Sequence, residues 1–161
     1  MVRELNVSLA TAAATERLGA ALAAAVADVA PGRCWVLLSG DLGAGKSTLA
    51  RAWLRAAGVE SAIPSPTYTL VEPYRLEPPR HAVHVDLYRL AAADELAELG
   101  VSDWDDALAL IEWPERVPEL VGRADLAIRL EHANTGRLLT VAALSPTGRA
   151  ILGHSALRQA G

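Results

Sequence analysis

One stretch of this chain has the residue types and spacing to hold a polyphosphate. Gly40-Asp41-Leu42-Gly43-Ala44-Gly45-Lys46-Ser47 fits the pattern GxxxxGK[ST]. Glycines let backbone N–H groups turn inward onto phosphate oxygens. The helix expected next points its positive N-terminus at the anion. Lys46 has the reach for the β- and γ-phosphates, and the Ser47 hydroxyl is a magnesium ligand. Thr48 adds a contact to the α-phosphate. ATP with Mg²⁺ is therefore expected on the loop, with Asp41, Leu42, Gly43, Ala44 and Gly45 around the phosphates. Arginine supplies 14 of the 15 basic residues, so Lys46 is the single lysine. At that lysine content the pattern arises by chance in about one chain in two thousand.

A phosphate cradle also needs a carboxylate for magnesium, usually at the end of an apolar strand. Two runs qualify: AVHVD, ending at Asp86, and LALIE, ending at Glu112. By spacing alone, either acid also reads as a capped or solvated strand end. Period-two alternation puts His84 on the face of Asp86, where it could orient that acid; a satisfied core histidine is the plainer reading. Ser65-Pro66-Thr67 is either a turn stiffened by Pro64 and Pro66 or a mobile nucleotide-sensing switch. Trp113 reads as a core tryptophan. Arg89 and Arg116 fit equally as stabilisers of phosphoryl charge or as surface ion-pair partners.

The surrounding elements must present these groups. Leu18, Leu22, Val26 and Val29 recur at helical spacing and predict a helix over 11–27. A short strand over 4–8 precedes it. RCWVLLS at 33–39 is a buried strand, and 46–57 a helix closed by Gly58. Residues 67–74 are extended, with Pro73 assigning them to a sheet edge. Strands are expected at 81–87 and 107–113, and a short helix at 94–99. Two more strands, 124–131 and 137–144, flank the turn HANTG. The tail after Gly148 carries no clear signal. Early strand–helix alternation followed by hairpins gives the expected fold: a single α/β domain over 1–161, a P-loop NTPase-like three-layer sandwich with a mixed parallel/antiparallel sheet and a C-terminal hairpin.

Composition narrows the function classes. A chain of 161 residues can close one core without staples. The single cysteine, Cys34, excludes an intramolecular disulfide, and the four histidines show no metal-ligand spacing. No run of about 18 apolar residues predicts a membrane span, and the N-terminal residues lack a signal-peptide pattern. The expected location is the cytoplasm. A net charge of −4 argues against a broad basic surface that grips nucleic acid unaided.

The motifs GDLGAGKST, SPTYTLVEPY, HVDLYRL, ELAELG and IEWPER occur in this order at compatible spacing. Together they resemble the small bacterial ATPases of tRNA threonylcarbamoyladenosine biosynthesis, the TsaE (YjeE) family. The resemblance runs from Thr15-Glu16-Arg17-Leu18-Gly19 to the hairpin at Gly136-Arg137. It implies an ATPase that works with the threonylcarbamoyl transferase heterodimer of TsaB and TsaD type proteins. That enzyme modifies an adenosine of ANN-decoding tRNAs, so tRNA is met only through the complex. Carried over to this chain, the resemblance makes Lys46 and Ser47 the phosphate and magnesium residues. Glu112 becomes the magnesium-associated acid, and Asp86 the acid of the HxDLYR motif needed for ATP handling. Thr67 falls in the switch-like segment and Arg137 near the nucleotide, while Thr11 and Ala12 line the adenine. Ser47 stands where Thr is common, and either hydroxyl ligates magnesium.

The leading expectation is thus an ATPase, slow alone and activated by partners, with Asp86, Glu112 and Lys46 as its catalytic groups. A small P-loop kinase acting on a small molecule or nucleotide is the alternative. Such a kinase needs an arginine-bearing lid, and the acidic stretch 90–106 contains no arginine. A nucleotide-binding module without turnover is a third reading, against which the two carboxylates weigh.

Overall fold

The computed structural model describes residues 3–66, 69–77 and 80–160. Seven strands form one sheet: β1 (Glu4–Leu9), β2 (Cys34–Ser39), β3 (Val71–Arg75), β4 (His81–Asp86), β5 (Leu108–Glu112), β6 (Leu126–His132) and β7 (Arg137–Ala143). Their order is β1-β7-β6-β2-β5-β4-β3. The four central strands β6, β2, β5 and β4 run parallel, and β3, β7 and β1 add antiparallel edges. Both faces of β2, β4 and β5 are covered, so they are buried along nearly their whole length, whereas β6 alternates buried Leu126, Ile128 and Leu130 with exposed Arg129 and Glu131.

Successive residues of those runs feed two separate cores. Cys34, Val36, Leu38, Leu108 and Leu110 face one side. Trp35, Leu37, Ala109 and Ile111 face the other. The first side is covered by α1 (Ala12–Val29), α2 (Lys46–Ala56), α3 (Pro146–Leu152) and α4 (Ser155–Arg158). Helix α1 starts where the Thr11 hydroxyl accepts the Ala14 N–H at 3.1 Å, and it buries Leu18, Leu22, Ala25 and Val26. The second side is covered by short 3₁₀ turns instead of α-helices. The expected helix at 94–99 is the 3₁₀ turn Ala93–Leu99, followed by a second turn at Val101–Trp104. Trp104 anchors this layer edge-on to Trp35, with centroids 6.0 Å apart, and its carbonyl accepts the Trp35 indole N–H at 2.9 Å.

Of the expected extended run, 67 and 68 lie outside the described residues; the strand itself is Val71–Arg75, and Pro73 lies within it on the sheet's outer edge. The tail that carried no signal forms α3 and α4, which pack on α1. Ser145 caps α3 and also donates to the buried carboxylate of Asp125 at 2.7 Å. The hairpin β6–β7 forms as expected around the turn 133–136, where the Ala133 N–H reaches Gly136 O at 3.2 Å. Among the described residues no helix is long and apolar enough to cross a membrane.

Candidate functional site

The phosphate-type loop lies at the C-terminal end of β2, between the ends of the parallel strands β5 and β6. In open α/β sheets this is where ligands bind. Gly40, Gly43 and Gly45 all have positive φ, at 144°, 76° and 109°. Gly40 also abuts β6, where a Cβ would lie 2.5 Å from Leu130 O. Helix α2 starts from Gly45 with no side-chain cap, unlike α1 and α3. Its first-turn N–H groups have no carbonyl partner within the helix and are offered to an anion.

Lys46 is almost fully buried, 5% exposed. Its Nζ donates to Gly40 O at 2.6 Å and Asp41 O at 3.0 Å, and lies 4.2 Å from the centroid of the Trp113 ring. Burial holds its pKa below the usual lysine range, against the pull of Glu112, Glu115, Asp86 and Asp41.

Register brings the two acids together. Asp86 and Glu112 are paired positions of β4 and β5, and Leu38 of β2 is the partner of Glu112 on its other side. The Ser47 hydroxyl donates to the Glu112 carboxylate, 3.0 Å from one oxygen and 2.9 Å from the other. Asp86 accepts the Tyr88 N–H at 2.9 Å. Burial, reinforced by Glu112, raises the Asp86 pKa, while the Tyr88 N–H, His84 and Lys46 pull it back.

His84 shares the face of Asp86, as the alternation required, but its ring serves the other acid. Nε2 lies 2.5 Å from Glu112 Oε2, and the fully buried ring leaves Nδ1 without a partner among the described atoms. Sequence spacing could not find this pair, because it depends on the register of two strands 28 residues apart.

Two clefts meet at the loop. One, of about 210 Å³, lies among Lys46, Ser47, Thr48, Asp86, Glu112 and Trp113, with Leu42, Gly43 and Gly45. The other, of about 230 Å³, lies between the β1–α1 junction and the β6–β7 hairpin. It brings together the candidates Thr11, Ala12, Ala44 and Arg137, and adds Thr15, Leu130 and Gly136, which were not among the candidates. Thr15 stands four positions after Thr11, on the same side of α1, a signal the sequence did contain. Gly45 and Thr48 border both clefts, so one elongated ligand can occupy the two. Asp41 borders neither; it contributes the carbonyl that holds Lys46. Thr67 lies outside the described residues.

The donor set fits a magnesium nucleotide. Among the described residues no cluster of three or more His, Cys, Asp or Glu could hold a metal by itself. Magnesium carried in by phosphates needs only one or two protein oxygens, and Ser47 and Glu112 present them side by side.

The fold is shared with a solved structure, that of Bacillus subtilis YdiB, with a TM-score of 0.72 and 22% identity over 100% of this chain and 99% of that one. A Haemophilus influenzae relative named tRNA threonylcarbamoyladenosine biosynthesis protein TsaE is 39% identical over 119 residues, which are 73% of this chain and 75% of that protein. A Mycobacterium bovis protein of the same name is 42% identical over 108 residues, 62% of this chain and 64% of its own. The family model described as threonylcarbamoyl adenosine biosynthesis protein TsaE matches residues 9–139. That match runs from the end of β1, through the loop and both acids, into β7, and the chain belongs to the TsaE family.

Proposed function

We propose that this chain is a single-domain, Mg²⁺-dependent ATPase that supports a threonylcarbamoyl transferase heterodimer of TsaB and TsaD type in the cytoplasm. The observation that carries this reading is the hydrogen bonding of Ser47 to Glu112 directly beneath an uncapped helix N-terminus. When bound, magnesium would neutralise phosphate charge; Ser47 and Glu112 would hold it. Lys46 would exchange its loop carbonyls for phosphate oxygens. Asp86, beside Glu112 and with its pKa raised by burial, suits the positioning of an attacking water. Thr11, Ala12 and Arg137 border the side expected to take the nucleoside, and Thr67 belongs to the expected switch. The family's role in threonylcarbamoyladenosine biosynthesis supplies the purpose, with tRNA met through the complex. The packing of 90–106 speaks against a kinase: Leu96 and Trp104 are buried in the second core, leaving no free lid there.

Calorimetric titration with ATP tests the site. Lys46→Ala is expected to weaken binding by at least about tenfold, as loss of a charge-assisted contact should. Glu112→Gln is expected to flatten the dependence of binding on Mg²⁺. Unchanged ATP affinity in Lys46→Ala would overturn the assignment.

A further inference from the structure

Arg137 opens β7, paired with Leu9 of β1 and His132 of β6. It borders the nucleoside-side cleft, yet its guanidinium is already engaged. Nε donates to Ala44 O at 2.9 Å, one terminal nitrogen to Gly43 O at 3.1 Å, and the other to Gly136 O at 3.0 Å. Two of these acceptors are consecutive carbonyls of the phosphate loop. We infer that Arg137 is a positioning residue that latches the loop in its anion-binding shape, acting on the phosphates through the main chain. This rests on the nucleotide reading proposed above.

The argument is geometric. A trans peptide points its carbonyl and the following N–H in opposite directions. Drawing Ala44 C=O toward Arg137 therefore turns the Gly45 N–H to the opposite side. The Ala44 N–H closes the loop internally onto Asp41 O at 3.0 Å. The latch also keeps the negative ends of two carbonyl dipoles against a cation instead of an incoming anion. A loop with three positive-φ glycines is entropically expensive to order, and ordering it before the ligand arrives raises affinity. Two donors directed at two successive carbonyls need a fork; lysine, a point charge, can serve one. The anchor is rigid because Gly136 seats the hairpin on β1, where a Cβ would stand 2.1 Å from Leu9 O.

A latch and a nucleoside contact make different demands on the ligand. Calorimetry would compare ADP with inorganic tripolyphosphate, which has no base or ribose, on the unaltered chain, Arg137→Ala and Arg137→Lys. The expected result is an equal loss for both ligands in Arg137→Ala, about tenfold or more. Arg137→Lys is expected to keep the ligand-free melting temperature while recovering only part of both affinities. A loss confined to ADP would make Arg137 a nucleoside contact and overturn the proposal, as would unchanged affinity for both ligands. Failure of the unaltered chain to bind either one would instead overturn the nucleotide reading itself, and the latch with it.

Discussion

Asp86 and Lys46 are held in the ligand-free chain against their own ionisation, and that cost has a sign that can be measured. Burial places the Asp86 carboxyl above its ordinary range. Its folded-state pKa thus exceeds the unfolded one, so stability falls as pH rises from the ordinary carboxylate range through the raised value. At neutral pH the ionised carboxylate destabilises the fold. Asp86→Asn keeps an oxygen for the Tyr88 N–H and removes the charge. The melting temperature of the ligand-free chain is therefore expected to rise near neutral pH, by ~2–4 °C for each kcal/mol released. The gain should vanish near about pH 3, where both states are protonated. ATP turnover should fall in the same variant, the usual exchange of stability for function at a charged site. Thermal melts at the two pH values, set beside a turnover assay, check this; an equal shift at both pH values would point to packing instead. Residues of this kind were legible in the sequence only in part. Lys46 and Ser47 follow from a contiguous motif whose geometry is local. Asp86 and Glu112 follow from ending apolar runs, but which neighbour each acid faces depends on strand register. That is why spacing alone left His84 open between orienting Asp86 and sitting as a satisfied core histidine, while the register pairs its ring with Glu112.

Elements were legible where one period dominates and obscure where packing decides. Helix α1 and the central strands follow from their spacing within one or two residues. The second outer layer does not, because 3₁₀ turns carry no amphipathic period; Leu96, Trp104 and Leu120 fill it singly. The tail was silent because α3 and α4 are too short for a stripe and depend on α1 for burial. Both non-glycine residues with positive φ among the described positions, Leu70 and Trp113, flank the site. Leu70 O takes the Asp86 N–H at 2.8 Å, which ties Leu70 to the acid's main chain. The hairpin element gives a direct test. Gly136 has φ of 93° and no room for a Cβ, whereas Gly32 has nothing within 4 Å of one. Gly136→Ala is expected to destabilise the chain by about 1–3 kcal/mol and weaken ADP binding. Gly32→Ala should do neither. Urea unfolding and calorimetry on the pair would expose an equal response, which would mean that the hairpin seat is not what shapes the cleft.

At the scale of the molecule, the site is short of one kind of group. Among the described residues, Lys46 is the sole cation bordering the cleft that holds Ser47, Asp86 and Glu112. Arg137 is engaged with loop carbonyls, and the Arg116 guanidinium lies 5.5 Å from the Tyr88 ring. Phosphoryl transfer is catalysed mostly by positioning and by neutralising charge that develops on the transferred group. A chain that binds the phosphates but leaves that charge partly unmet should turn over slowly. It is then open to a partner that supplies a cation or orders a segment beside the acids. The net charge of −4 points the same way, since a chain this acidic is poorly suited to capturing tRNA alone. ATP hydrolysis by the isolated chain is therefore expected to be slow, and the transferase heterodimer should accelerate it. Groups supplied in trans reach about 10³–10⁵-fold in other P-loop enzymes, so even partial provision should be plain. The decisive measurement is multiple-turnover threonylcarbamoyl transfer to tRNA with purified partners. Variants disabled at Lys46, Asp86 or Glu112 are expected to support no sustained turnover, including those that still assemble with the heterodimer. Full turnover with the Lys46→Ala chain, or with the chain omitted, would show that the pathway does not use hydrolysis at this site.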